Sequence, residues 1–179
     1  MLFRSDACLD AAEIVPNEGL RARLLNLAKH WRNAYGADGL MSEDSPYYEG
    51  DRYTYSFRLQ KNMEERVALA GGKERFAQLL DRFFGFGCES VKQLTHRGAA
   101  KEIAESRYHR FEGFNNECDM ETPYAYIYAD RHDRLCEILD ECVRRSFGTG
   151  RSGLPGNNDS GGLSSLFVWN VLGDRKSVV

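Results

Sequence analysis

Apolar residues recur at helical spacing along most of the chain, and this pattern constrains the fold more than any other feature of the sequence. In 17–35, side chains such as Leu20 and Leu24 follow one another at three or four positions, which is the spacing of one helix face. The same spacing recurs at 73–84 and at 133–147. Sustained alternation with a period of two, which strands require, is missing from the sequence. The sequence therefore predicts an all-α fold.

The other predicted helices follow from apolar stripes and from glycines that end them. They span 62–70, 99–108, 122–129 and 163–172. The last of these is apolar almost all round, which predicts a helix buried on most sides. Successive helix pairs joined by long loops suggest a helical toroid. Because only residues 173–179 follow the apolar helix, we expect 1–179 to be a single incomplete helical domain, the C-terminal part of a larger one.

The net charge and the lengths of the apolar stretches argue against a nucleic-acid partner and a membrane span. The chain has 24 Lys and Arg against 27 Asp and Glu, a net charge of -3, without the basic bias of a nucleic-acid-binding protein. No stretch approaches the roughly 18 to 20 uninterrupted apolar residues of a membrane span. We therefore expect neither a nucleic-acid partner nor a membrane span. The first residues lack the apolar core of a signal peptide, so the sequence alone gives no localisation.

Three loops are unusually rich in the groups that hydrolysis of a sugar bond requires. We refer to 47–57 as the first loop, 111–124 as the second loop and 153–165 as the third loop. An inverting glycosidase needs one carboxylic acid to protonate the departing oxygen and one carboxylate to activate a water, about 6.5 to 9.5 Å apart. Two loops that are far apart in sequence must supply this pair.

The candidate catalytic carboxylates are Glu49 in the first loop and Asp159 in the third loop. Glu49 lies among tyrosines, in the apolar kind of surroundings that raise the pKa of a carboxyl group and keep an acid protonated near neutrality. Asp159 is flanked by amide side chains and glycines, a polar setting that keeps a carboxylate ionised as a base. Taken singly, such a carboxylate is more often a helix cap or a surface charge.

Rings and amide groups beside these carboxylates are the candidate sugar-binding residues. They are Tyr48, Tyr53, Asn157 and Asn158. Aromatic rings clustered beside carboxylates commonly face a sugar, but a packed core would use the same rings. Both interpretations stay open at this point.

The second loop carries a cluster of oxygen donors. They are Asn115, Asn116, Glu117, Asp119 and Glu121. Without histidine or paired thiolates, such a set suits Ca²⁺ better than Zn²⁺. The spacing lacks the register of an EF-hand, and the same residues could instead cap the helix that begins at Thr122.

The third loop also carries a long and specific signature. It reads Gly-Leu-Pro-Gly-Asn-Asn-Asp-Ser-Gly-Gly-Leu-Ser-Ser, which resembles the Gly-Leu-Pro-Gly-Asn-Asp-Asp-x-Gly-x-Met-Ser signature of glycoside hydrolase family 92, a calcium-dependent exo-α-mannosidase family. Tyr48-Glu49-Gly50 is similar to that family's Glu-Gly-Asn-x-Trp-Gln-Tyr. Asn116-Glu117 ahead of Tyr126-Ile127-Tyr128 is similar to its Gly-Asn-Glu-Pro-Ser-His-His followed by Tyr-Leu-Tyr.

This resemblance, with its motifs in the family's order over 31–173, implies a fold, an activity and a set of roles. The fold would be part of an (α/α)6 toroid, and the activity the release of terminal α-mannose from a glycan with inversion. Glu49 would be the general acid, Asp159 the general base, and Asn116 and Glu117 would lie at calcium-binding positions. The resemblance also implies an N-terminal β-sandwich elsewhere in the parent chain, and a periplasmic or secreted location.

Several positions depart from the family pattern. Asn158 stands where the family has the first Asp of its Asp-Asp pair, and because an amide cannot act as a base, that task falls on Asp159. Residues 59–62 replace the family's Val-Pro-His-Asp, and its His-His pair differs around Glu121-Thr122-Pro123. Since these changes touch sugar-contacting positions, we expect a divergent member.

Other interpretations compete with this one. The chain could be a catalytically incomplete fragment or a sugar-binding remnant, because exo-glycosidase pockets are built from loops around a whole ring of helices. It could also be an (α/α)6 glycosidase of different sugar specificity. An all-α interaction module is disfavoured, since the sequence lacks the repeat period of such solenoids.

Overall fold

The computed structural model describes residues 2–44, 47, 51–86, 117–151 and 153–173. This part of the chain is helical, and apart from an isolated bridge between Tyr35 and Met41 it contains no β-structure. The prediction of an all-α fold is therefore confirmed. The helix predicted at 99–108 lies outside the described residues.

The described helices include α-helices and 3-10 helices. The α-helices are α1 (Leu2–Ile14), α2 (Glu18–Ala28), α3 (Arg52–Ser56), α4 (Met63–Leu69), α5 (Lys73–Phe84), α6 (Glu117–Met120), α7 (His132–Ser146) and α8 (Gly162–Leu172). The 3-10 helices are Lys29–Ala34, Thr122–Ala129 and Asp159–Gly161. Among these elements, α1 packs along α2, and the 3-10 helix Thr122–Ala129 packs along α7. Consecutive elements thus associate in pairs, and the pair formed by Thr122–Ala129 and α7 was predicted from the sequence.

The helix predicted at 17–35 is present but changes its form. Asn17 caps it, because its side-chain oxygen accepts the N–H of Leu20 at 2.8 Å. The α-helix ends at Ala28 and continues as the 3-10 helix Lys29–Ala34, which buries Trp31. Helix α1, which the sequence did not predict, precedes this segment, and its short apolar residues and scattered charges carry little periodicity.

The core is built around α5 and α7, where the predicted apolar stripes are confirmed. The buried residues of these stripes are Phe76, Leu79, Leu80, Phe83, Leu135, Ile138, Leu139 and Cys142. The 3-10 helix Thr122–Ala129 lies against both helices, and its Tyr126 stacks on Phe84 with ring centroids 5.9 Å apart. The end of the second loop is therefore fixed to the centre of the core.

A buried arginine ties α4 to the segments beside the first loop. The side chain of Arg66 is fully buried, and its Nη2 donates to the carbonyl oxygens of Gly39 at 2.7 Å and Ser56 at 3.0 Å. The guanidinium carbon lies 4.0 Å from the centroid of the Tyr35 ring, close enough for a cation–π interaction. Burial lowers the pKa of Arg66. This side chain fixes the C-terminal end of α3.

Helix α8 differs from its prediction. Only one side of it faces the core, through Leu163, Leu166 and Asn170. The exposed apolar residues on its other sides are Phe167, Val168, Trp169, Val171 and Leu172. The prediction that this helix is buried on most sides is wrong for the described structure, because its composition cannot tell which faces the neighbouring elements cover.

None of the helices in the described ranges is long and apolar enough to cross a membrane.

Candidate active site

The first loop is described at Tyr47 and from Asp51 onward. Asp51 caps α3, since its side-chain oxygen accepts the N–H groups of Tyr53 at 2.7 Å and Thr54 at 3.2 Å. The Tyr47 ring stacks on Tyr55, with centroids 5.5 Å apart. The two predicted site residues between these positions, Tyr48 and Glu49, lie outside the described residues. Described neighbours on both sides of them are therefore held in place.

Arg52 anchors α3 to the turn that precedes the first loop. Its Nε donates to the carbonyl oxygen of Met41 at 2.9 Å, and its guanidinium pairs with Asp38 and Glu43, each at 2.6 Å. The hydroxyl oxygen of Ser56 accepts the N–H of Met41 at 2.8 Å. Both ends of the short helix are thus fixed to one turn.

The predicted sugar-binding residue Tyr53 is half-buried and packs against the hydrophobic core. Part of its ring therefore has the packing role that the sequence left open. Its contact with a sugar stays a prediction.

The side chain of Asn158 in the third loop binds the first turn of α8. Its Oδ1 accepts the N–H of Ser164 at 3.0 Å, and its Nδ2 donates to the hydroxyl oxygen of Ser164 at 2.9 Å. An amide can make both bonds because it offers an acceptor and a donor. The amide at this position, where the resemblance predicts a carboxylate, therefore has a local structural use at the start of α8.

Asp159 and Asn157 are exposed, and the backbone turns sharply just after Asp159. Ser160 has a φ of 51° and Gly161 a φ of 77°. A non-glycine residue in the left-handed region costs roughly 1 to 3 kcal/mol, and such residues cluster at functional sites. The Asp159 side chain is thus exposed three residues before α8, and its role as a base stays a prediction.

The glycine that opens the third loop is required by space. A Cβ on Gly153 would lie 2.5 Å from the carbonyl oxygen of Gly148, which is closer than non-bonded atoms approach. Two backbone hydrogen bonds form a tight turn here. The N–H of Gly148 donates to the carbonyl oxygen of Gly153 at 2.9 Å, and the N–H of Gly153 donates to the carbonyl oxygen of Gly150 at 3.2 Å. This turn sets the direction in which the third loop leaves α7.

In the described end of the second loop, the carboxylate side chains of Asp119 and Glu121 lie inside the protein. Glu121 forms an ion pair with Arg58, whose Nε lies 2.5 Å from its carboxylate, and accepts the N–H of Leu59 at 3.2 Å. Burial raises the pKa of Glu121, although Arg58 and the Leu59 N–H act in the opposite direction. Asp119 is 1% exposed. Glu121 makes no side-chain cap for the 3-10 helix Thr122–Ala129, so the capping interpretation is wrong for this residue.

The predicted calcium-binding positions are only partly described. Asn116 lies outside the described residues, and of Glu117 the structure describes the backbone, at the start of α6. Within the described ranges, no group of three or more His, Cys, Asp or Glu side chains is placed to hold a metal ion. Glu121, one of the oxygen donors that the sequence offered, is already paired with Arg58.

Elements attached to the three loops pack against one another. Helix α6 lies against α3 and also against α8. Helix α3 forms the end of the first loop, α6 lies in the second, and α8 begins in the third. The hydroxyl of Tyr124, at the end of the second loop, donates to the Asn170 side-chain oxygen of α8 at 2.9 Å, and both residues are buried. Loops that are distant in sequence are therefore joined through α6 and its neighbours.

Sequence reasoning missed the residues that make these connections. The Glu121 and Leu59 partners are 62 positions apart, and Tyr124 and Asn170 are 46 positions apart, so no local pattern relates them. The burial of Arg66 could have been predicted, because this residue falls on the same helix face as the apolar residues Met63 and Val67, which are buried.

Comparison with known proteins identifies the chain. A family model for the glycosyl hydrolase family 92 catalytic domain matches residues 17–173, a range that includes the three loops and begins after α1. No curated protein matches the chain. The match covers most of the sequence and agrees with the resemblance found in the loops. The chain therefore belongs to glycosyl hydrolase family 92 and is a glycoside hydrolase domain.

Proposed function

We propose that this protein hydrolyses terminal α-mannosides of glycans with inversion, using Glu49 as general acid and Asp159 as general base with the assistance of Ca²⁺. The observation that carries this proposal is the packing of α6 against both α3 and α8. That packing joins the segment next to Glu49, the part of the second loop that begins at the predicted calcium-binding residue Glu117, and the helix next to Asp159. Such a junction is what a site needs when its two carboxylates come from separate loops.

The proposed base has suitable surroundings. Asp159 is exposed beside exposed amide side chains, so a water molecule can reach its carboxylate and the charged form is well solvated. The N-terminus of α8, just after it, also favours a negative charge. The carboxylate is therefore open to the water molecule that a general base must activate.

The proposed acid is argued from its flanking residues. Glu49 follows the stacked Tyr47 by two positions and precedes the cap residue Asp51 by two positions. A general acid needs a defined position, and the described residues on both flanks of Glu49 are fixed. We propose that the tyrosines near it in the sequence disfavour its charged form and keep the acid protonated.

The proposed reaction is a single displacement at the anomeric carbon. Glu49 gives its proton to the glycosidic oxygen while the bond from that oxygen to the anomeric carbon breaks, and the electron pair leaves with the oxygen. A water oxygen bonds to the same carbon from the opposite face, and Asp159 takes the proton that this water loses. The product sugar has the inverted configuration, and exchange with solvent returns both carboxyl groups to their starting states.

Calcium is proposed for Asn116 and Glu117, by resemblance and by the oxygen-donor chemistry of the second loop. When bound, it would supply positive charge that holds sugar hydroxyls and favours ring distortion. The chain's own contribution is the position of α6, which begins at Glu117 and is held by α3 and α8.

Export to the periplasm or to the outside of the cell is proposed on the same resemblance.

A glycosidase of different sugar specificity is the second candidate, and one contact favours it. Lys61, in the segment that departs from the family pattern, forms an ion pair with Asp10, and its N–H donates to Asp6 at 3.4 Å. Both partners belong to α1, outside the matched range. A position expected to contact sugar is thus used to bind an additional helix.

Hydrolysis assays on the full-length protein test the proposal. Aryl α-mannosides and a panel of other aryl glycosides would be assayed with and without Ca²⁺, and the anomer released would be identified by NMR. We expect release of β-mannose, and a loss of about 10²-fold or more for Glu49→Ala and for Asp159→Ala. Glu64→Gln, an exposed carboxylate of α4, is the matched control and should keep full activity.

Each result separates the candidates. Wild-type rates in both alanine variants would refute the two catalytic assignments. Turnover of another glycoside but not of mannosides would favour the second candidate. No turnover of any glycoside by the full-length protein would favour the catalytically incomplete remnant.

A further inference from the structure

The ion pair between Arg58 and Glu121 joins the first loop's side of the molecule to the second loop. The Glu121 carboxylate receives a charged partner and a backbone N–H from consecutive residues, Arg58 and Leu59, just after α3. The Arg58 side chain is 15% exposed and that of Glu121 28% exposed, so water competes less for this pair than for a surface pair. The contact fixes the C-terminal side of α3 relative to α6.

A separate hydrogen bond joins the second loop to the third loop's side. The Tyr124 hydroxyl donates to the side chain of Asn170, two turns into α8 from the third loop, at 2.9 Å. Tyr124 is fully buried and Asn170 is 7% exposed. A buried polar pair of this kind has strong geometric preference, because each group loses its partner if the helix shifts.

Glu121 and Tyr124 are three residues apart and contact two different parts of the protein. Glu121 holds the segment that continues from the first loop, and Tyr124 holds the helix that continues from the third loop. The segment that carries both residues is itself packed into the core between α5 and α7. The relative position of the first and third loops therefore depends on these two side chains.

We infer that Glu121 and Tyr124 are positioning residues that set the relative placement of the acid-bearing and base-bearing loops, Glu121 for the acid side and Tyr124 for the base side. This inference rests on the proposed function. An inverting site works only at a carboxylate separation that admits one water, and a displacement of about 1 Å can cost about 10²-fold in rate. Neither residue is assigned contact with the substrate.

The test uses aryl glycosides whose leaving groups differ in pKa, on the full-length protein. A good leaving group needs little help from a general acid and a poor one needs much. Glu121→Gln should therefore lose activity mainly on poor leaving groups, by about 10²-fold in kcat/KM, so that the plot of log kcat/KM against leaving-group pKa becomes steeper. Tyr124→Phe should lower the rates for all leaving groups by a similar factor and keep the wild-type slope.

Two further variants separate positioning from simple loss of stability. Glu65→Gln removes the carboxylate of the exposed Arg32–Glu65 ion pair and should leave both rates and slope unchanged. Arg58→Lys keeps a charged partner for Glu121. Its plot of log kcat/KM against leaving-group pKa should therefore stay close to the wild-type slope, even if thermal stability falls. Thermal melting of each variant, followed by circular dichroism, identifies any that fail to fold.

The possible failures are distinguishable. Wild-type protein that hydrolyses no aryl glycoside removes the proposed function and the inference with it. Wild-type turnover with parallel plots for Glu121→Gln and the wild type, in a folded variant, overturns the inference and leaves the proposed function intact. A steeper plot for Tyr124→Phe would overturn the assignment of sides.

Discussion

Arg66 places a positive charge inside the core and uses it to hold backbone rather than a carboxylate. Its partners are carbonyl oxygens of Gly39 and Ser56 and the face of Tyr35. Burying a guanidinium is unfavourable unless hydrogen bonds and a ring face replace its water. The two hydrogen-bonded carbonyl groups lie 27 and 10 positions before Arg66 in two segments outside α4, so the side chain joins these segments to one another.

Substitution of this residue should be costly for stability. Arg66→Met keeps the apolar stem but removes the donor to the Gly39 carbonyl oxygen and one of two donors to the Ser56 carbonyl oxygen, which we expect to lower the free energy of unfolding by about 2 kcal/mol. Urea denaturation of the full-length protein measures the change. Arg75→Met, at an exposed arginine of α5, should change stability by less than about 0.5 kcal/mol. Equal effects of the two substitutions would contradict the role given to Arg66.

At the scale of elements, the best predictions came from helices whose apolar residues form one stripe. The stripes of α5 and α7 were predicted, and their residues are buried, because a core on one side imposes a period that the sequence displays. Helix α8 has apolar residues on all sides, so its exposed face could not be predicted from its own composition. Helix α1 was missed for the opposite reason, since its sequence has little periodicity.

The turn that precedes the third loop is an element whose shape can be tested. Gly153→Ala would place a Cβ 2.5 Å from the Gly148 carbonyl oxygen, and the turn must open to admit it, at a cost of about 1 to 3 kcal/mol. We expect lower thermal stability together with reduced glycosidase activity, because the third loop begins at this residue. Gly148→Ala is the matched control, since nothing lies within 4 Å of its added Cβ. If Gly153→Ala melted like the control, the spatial requirement would be refuted.

At the scale of the whole molecule, the sequence predicted the kind of elements and the chemistry of the loops better than their connections. The candidate roles of Glu49 and Asp159 came from residue types and from a family resemblance, and they stay predictions. The contacts of Glu121 and Tyr124 join positions 62 and 46 residues apart. Such pairings depend on how helices pack in three dimensions, which local spacing does not encode.

Calcium binding is a property of the whole molecule because it couples a local site to global stability. A ligand that binds only the folded state stabilises it, by about 2.7 kcal/mol at a hundred times its dissociation constant. If the second loop binds Ca²⁺ through Asn116 and Glu117, adding Ca²⁺ to the full-length protein should raise its melting temperature, and a chelator should lower both that temperature and the rate of glycoside hydrolysis.

Substitutions at the proposed ligands connect this effect to the second loop. Asn116→Ala and Glu117→Gln should each shift the calcium titration of the melting temperature to higher concentration, whereas Glu74→Gln, an exposed carboxylate of α5, should not. Because the melting temperature is measured without substrate, this result does not depend on the sugar specificity. A melting temperature and a hydrolysis rate that are both indifferent to Ca²⁺ and to the chelator would rule out the calcium assignment. A calcium response that is unchanged in both ligand variants would instead place the ion elsewhere in the protein.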